Sequence, residues 1–137
     1  MGRYLAVDYG SKRCGIAVSD PLKMIAAGLE TVASHELMDY LTDYFKKEVV
    51  EHLIVGKPVQ TDGTSSELYI LAERFVNAFK KRFPEIPVSW EDERFTSKMA
   101  MQSMIDGGMK KSARREKGAV DKVSAAIILQ SFMDNQK

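Results

Sequence analysis

The sequence predicts an α/β fold, a mixed five-stranded sheet flanked by helices, and two observations carry that prediction. Three short strand-like segments precede the first helical period, and beyond it helix and strand alternate along the chain. The size supports one core and no more: 137 residues, 45% of them hydrophobic, fall within the range of a single domain. One domain over residues 1–137 is therefore expected.

Each element has its own signal. Tyr4 to Val7 is a continuous apolar run ending at Asp8, as in a strand buried on both faces that delivers a polar residue to the sheet edge. Gly10 and Ser11 supply turn chemistry, and Cys14 to Val18 offer a second strand, so the two form a hairpin. Pro21 and Gly28 punctuate a third, weaker strand leading to Thr31 and Val32. Ser34 is placed to cap a helix whose apolar face is Leu37, Leu41, Tyr44, Phe45 and Val49. His52 to Val55 make the next strand, stopped by Gly56 and Pro58.

Thr64-Ser65-Ser66-Glu67 reads as a capping box, opening a helix with the stripe Leu68, Leu71, Ala72, Phe75 and Phe79 that ends near Phe83, ahead of Pro84. Val88 to Trp90 form the fifth strand and lead into Glu91-Asp92-Glu93-Arg94. Thr96 or Ser97 can cap a short helix through Met104 and Ile105, closed by Gly107 and Gly108. From about Val120 to Met133 the chain is apolar over much of its helical circumference, which predicts a buried helix.

Composition excludes several classes of function. Charges nearly cancel at a net +1, so nucleic-acid binding needs a local basic patch. Cys14 is the only cysteine, which rules out an internal disulfide and fits a reducing compartment. It lies mid-strand with nothing nearby to lower its pKa, so no catalytic thiol is expected. His35 and His52 lack ligand spacing for zinc. No secretory h-region and no apolar run of roughly 20 residues is present, so a cytoplasmic protein without membrane contact is expected.

Three acids sit at element termini beside apolar core: Asp8 after the first strand, Glu93 after the fifth and Asp121 opening the last helix. Carboxylates at such ends can converge, and an all-oxygen ligand set suits a hard divalent cation, magnesium or manganese, rather than zinc. Taken singly, acids in these places are more often solvated or capping. Their company changes the weighing: Asp8-Tyr-Gly-Ser-Lys-Arg-Cys-Gly-Ile-Ala-Val-Ser-Asp20, Val55-Gly56-Lys57-Pro58, Asp92-Glu93-Arg94-Phe95-Thr96-Ser97, and Asp121-Lys-Val-Ser-Ala-Ala-Ile-Ile-Leu129.

That ordered set resembles the YqgF (RuvX) family of Holliday-junction-resolvase-like proteins, over nearly the whole chain from Tyr4 to Phe132. The resemblance implies a ribonuclease H-like fold and a cytoplasmic bacterial nuclease that matures the 5′ end of precursor 16S rRNA in ribosome biogenesis. It implies catalytic and metal-binding roles for Asp8, Glu93 and Asp121. Strand alternation sends Glu91 and Glu93 to one face and Asp92 to the other; the motif favours Glu93, with Asp92 in reserve. The family's second motif usually has an aliphatic residue where this chain has Lys57, which can add a phosphate contact.

Residues 109 to 118 hold five basic side chains, among them Lys110, Lys111, Arg114 and Arg115, against Glu116. A charge run is usually a solvated face. Lying just before Asp121, this one can instead form a basic flap that holds phosphates. Lys12 and Arg13 beside Asp8 are secondary contacts, and Arg94 can orient a carboxylate, touch phosphate or form a local ion pair. Trp90 could stack a base, but a strand Trp is more often packing.

Other functions compete. A resolvase of branched DNA would use the same acids but needs two coordinated sites, so a monomer or weak homodimer is left open. An actin-like phosphotransferase needs a second domain for which the chain has no room. A catalytically silent nucleic-acid-binding module is the third alternative.

Overall fold

Five strands form where apolar runs were expected: β1 (Arg3–Asp8), β2 (Arg13–Ser19), β3 (Ala26–Ala33), β4 (Val50–Lys57) and β5 (Val88–Asp92). Among the described residues three α-helices accompany them, α1 (Leu37–Lys47), α2 (Glu67–Arg82) and α3 (Lys117–Asn135), with a short 3-10 turn at Ser34–Glu36. The computed structural model describes residues 2–57, 67–92 and 117–135, and the side chains of the last stretch from Asp121 on. The capping box at 64–66 and the short helix expected over 96–105 lie outside the described residues, as do Glu93, Arg94, Lys110, Lys111, Arg114 and Arg115.

The sheet order is β3-β2-β1-β4-β5. β2 is antiparallel to both β1 and β3, whereas β4 runs parallel to β1 and β5 parallel to β4. The three parallel strands therefore end at one edge, which carries Asp8, Lys57 and Asp92.

The two sheet faces differ in side-chain size, and that decides how closely helices approach. One face presents Leu5, Val7, Ile16, Leu53 and Val55, covered by α1 and α2 through Leu37, Leu41, Phe75, Val76 and Phe79. The other presents Ala6, Ala17 and Ile54 and receives Ala125, Ile128, Leu129, Phe132 and Met133 of α3. Those α3 positions recur at helical spacing, so the helix buries one stripe rather than its whole circumference. Among its described side chains, Val123, Ala126 and Ile127 are only half-buried.

Several local expectations give way to tertiary packing. Gly56 does not stop β4, which continues through it to Lys57 because β5 pairs alongside. β3 likewise runs through Gly28, paired to Ala17. Val49 leaves the α1 face and is 67% exposed, since α1 has ended at Lys47. Ser34 caps nothing; its hydroxyl donates instead to the Gly10 carbonyl at 2.5 Å, and its amide donates to the Lys12 carbonyl at 3.0 Å. The serine thus pins the β1–β2 turn. Trp90 packs against Tyr69 and the larger core, as a strand tryptophan ordinarily does.

His52 sits under α3 between the rings of Tyr4 and Phe132, with Nε2 at 2.8 Å from the Ser89 hydroxyl. Burial lowers its pKa below the ordinary 6.5, a shift the Glu51 carboxylate partly offsets. Folding therefore favours the neutral ring, while the unfolded chain takes up a proton near pH 6.5. This contribution to stability is fully present above that pH and is lost as pH falls below it. Urea unfolding at pH 7.5 and 5.5 should show wild type losing more stability on acidification than His52→Gln; parallel losses would contradict this.

Candidate active site

The site is built around a residue with no side chain. Asp8, the last residue of β1, lies opposite Gly15 of β2 in an antiparallel pair, so the two share a sheet face. It is the α3 face, as Tyr4 and Ala6 at alternate β1 positions show. A Cβ placed on Gly15 would collide with the Asp121 backbone carbonyl and meet the Asp121 Cβ at 3.0 Å. The early part of α3 therefore rests directly on the β2 backbone, and Asp8 and Asp121 flank the same glycine despite their distance in sequence.

Their joint field is felt at Cys14, the next residue of β2. Its thiol is pushed up chiefly by burial; hydrogen bonds from Ser34 and the Gly10 backbone oppose that, while Asp8 and Asp121 both add to it. The thiol points into the opposite core with Ile16, so it stays protonated, inert and out of reach as a soft metal ligand.

Arg13 projects onto the α3 face and donates from Nε to Asp121 Oδ2 at 2.5 Å. Its side chain is 38% exposed and that of Asp121 22%. Beside the pair is a cavity of about 280 Å³ lined by Gly10, Ser11, Lys12, Arg13, Leu68 and Asp121. The β1–β2 turn, the start of α2 and the start of α3 each form one wall. Two cationic side chains and a carboxylate share this space, a composition suited to an anionic ligand that carries or accepts a counter-ion.

The other candidates distribute unevenly. Lys57 reaches the same sheet edge as Asp8, but its Nζ lies 5.5 Å above the Tyr69 ring, on the α2 side. Glu91 faces α3 and accepts from the Ser131 hydroxyl at 3.1 Å. Asp92 is exposed and, by alternation, takes the side of Trp90, opposite that of Asp8. Asp20, which closes the first motif, is structural: its Oδ1 accepts from the Met24 and Ile25 amides, both at 2.8 Å, and these bonds lower its pKa. Among the described residues no three His, Cys, Asp or Glu side chains form a metal-binding group.

Sequence reasoning missed two participants and one partnership. Arg13, expected as a secondary phosphate contact, also donates to Asp121, 108 positions away. Leu68 lines the cavity from a helix whose stripe reads as core, and Ser34 supports the turn. Only the Gly15 in the first motif hinted at a close approach.

Comparison with known proteins gives one consistent picture. The family described as RuvX, Holliday junction resolvase, matches residues 2–135. A protein of Christiangramia forsetii named "Putative pre-16S rRNA nuclease" is 56% identical over 133 residues, 97% of this chain and 98% of its own length. One of the same name from Phocaeicola vulgatus is 50% identical over 137 residues, covering 100% and 99%. Among solved structures, the fowlpox virus resolvase with Holliday junction DNA aligns with a TM-score of 0.62 at 14% identity, over 98% of both chains. Thermus thermophilus RuvC with its junction substrate aligns at 0.56 and 17%, over 99% of this chain and 96% of that one. The fold is thus the ribonuclease H-like fold of these resolvases. No described helix is long and apolar enough to cross a membrane.

A methyl at position 15 must displace backbone, whereas one at Gly28 would meet the Lys122 Cβ at 3.1 Å, a contact that small shifts relieve. Gly15→Ala should therefore cost about 1–3 kcal/mol in urea unfolding, the range for overpacking a tight contact. Gly28→Ala should cost less, and the reverse order would contradict the seating of α3 described here.

Proposed function

The chain belongs to the RuvX Holliday junction resolvase family, and on that footing we propose that it is a cytoplasmic metal-dependent nuclease hydrolysing phosphodiester bonds at the 5′ end of precursor 16S rRNA. The observation that supports this reading is that Asp8 and Asp121 both lie against Gly15, beside a cavity lined by Lys12 and Arg13. The names of the relatives supply the RNA. A single domain over residues 1–137 is enough for the activity.

In this reading Asp8, Glu93 and Asp121 are the catalytic acids. The ligands available are hard oxygens, and the one nearby thiol points away, so the donor set fits magnesium or manganese. A cation on these carboxylates would activate a water and stabilise the leaving oxygen in an in-line displacement. The exposed Asp92 turns with Trp90, which favours Glu93 as the third acid. Lys12, Arg13, Lys57, Arg94, Lys110, Lys111, Arg114 and Arg115 hold phosphates; Lys57 does so from the far side of the strand edge.

Asp8→Asn keeps the shape of the side chain and removes a ligand. Single-turnover cleavage of precursor 16S RNA should fall by orders of magnitude while RNA binding persists. Manganese should raise the melting temperature of wild type more than that of the variant. Full manganese-dependent cleavage by Asp8→Asn would sink the assignment.

The basic segment should do the converse. Replacing Lys110, Lys111, Arg114 and Arg115 with Gln should flatten log affinity against log salt by roughly 0.7 per lost contact on single-stranded RNA. Cleavage at saturating RNA should largely survive, and an unchanged slope would remove these residues from the interface.

Resolution of branched DNA is a second reading, favoured by the family description and by two structural relatives bound to Holliday junctions. That activity needs paired sites, hence a dimer. Parallel incubation of precursor 16S RNA and a synthetic four-way junction with manganese, magnesium or chelator separates the two.

A further inference from the structure

Asp121 and Arg13 are each expected to serve something outside the chain, the first a cation and the second a phosphate, yet they hold each other. The pair is direct, from Nε to a single carboxylate oxygen, and it sits in the wall of the cavity rather than beneath it. Arg13 has its backbone fixed in β2, opposite Ala33, and only its side chain can move. With 38% of that side chain exposed, a guanidinium that leaves Asp121 remains in the cavity beside Lys12.

We propose that Arg13 couples cation loading to substrate binding: it pairs with Asp121 until that carboxylate turns to a cation, and is then free to hold a phosphate of the nucleic acid. The inference rests on the nuclease reading and deepens it. Its physical content is exchange of one charge partner for another. An Asp121 oxygen that accepts from Arg13 has less electron density to offer a metal, and an Arg13 that donates to Asp121 presents a neutralised pair to phosphate. Each ligand therefore favours the state that admits the other, which makes the coupling reciprocal. Arg13 acts here as a positioning residue for Asp121 and as a substrate contact in turn. Asp8 lies on the same face, opposite Gly15, and provides the control, because neutralising it removes one negative charge while leaving the Arg13–Asp121 pair in place.

The test uses fluorescence anisotropy with two labelled probes, a 5′-precursor 16S RNA segment and a four-way DNA junction, in chelator. Asp121→Asn should bind at least about 5-fold tighter than wild type, the lower end of ordinary coupling. The gain should exceed that of Asp8→Asn and vanish in Asp121→Asn/Arg13→Gln. Should the Gln variant melt early, Arg13→Lys keeps the test: the ammonium lacks the guanidinium fork, so part of the gain should remain. In wild type, calcium in place of chelator should tighten binding by a similar factor, and Arg13→Gln should abolish that response.

The inference is overturned if Asp121→Asn gains no more than Asp8→Asn, or if the gain survives loss of Arg13. The pattern on the junction alone would keep the coupling while ending the RNA reading. Wild-type binding to neither probe would end both.

Discussion

A carbonyl oxygen occupying the place of a missing side chain is the contact on which the candidate site depends. Where α3 crosses β1 and β2 the sheet presents Ala6, Gly15 and Ala17, whereas the opposite face of the same strands presents Leu5, Val7 and Ile16. Two helices with large aromatic residues are held off by the second face, while α3 is admitted close by the first. Close admission matters because the acid on α3 lies in its early turns. A bulkier face would still bury Ile128, Leu129 and Phe132, and so would preserve much of the core, but it would lift Asp121 away from Asp8. Packing geometry and chemistry are thus set by the same small residues.

Topology supplies the second constraint. Parallel pairing of β1, β4 and β5 brings three strand termini to one edge, and each terminus carries a charged residue: Asp8, Lys57 and Asp92. In sheets of this kind, ligands gather outside the carboxyl ends of the strands because the apolar strand interiors leave polar groups only there. The antiparallel β2 then adds its beginning to the same edge, which is how Lys12 and Arg13 join the cavity. Period-two alternation refines the edge further, sending Asp8, Glu91 and Gly15 to the α3 face and Trp90 to the other.

Much of this was legible in the sequence, for reasons that can be named. Continuous apolar runs such as Tyr4 to Val7 are buried on both faces and announce themselves; so does the 3.6-residue stripe through Phe75 and Phe79. The hairpin and the position of Asp8 at the end of β1 follow from the same patterns; Asp121 does not open the last helix as expected, since α3 begins at Lys117 and carries Asp121 in its second turn. Partnerships across the chain did not. Ser34 has the chemistry of a cap, but the turn it contacts is 24 positions away, and no local rule weighs that competition. Arg13 reads as a surface cation until α3 is laid beside it. Gly56 and Gly28 read as breakers, yet a paired neighbour strand outweighs their propensity. Glu93 rests on its place after β5 and on the family pattern, and the basic segment on its own run of charge.

Charge at this site works by placement, since the chain as a whole is nearly neutral. Cys14 lies on the other side of β2, where burial chiefly raises its pKa and the two carboxylates add to that in a minor way. On the cavity side Asp121 meets Arg13 directly, with Lys12 lining the same space. Opposite charges at such range either neutralise one another or are recruited by ligands of the matching sign. An acid pair with a cation in contact therefore has two stable uses of the same groups. A nuclease site needs both, one to hold itself together before its ligands arrive and one to bind them.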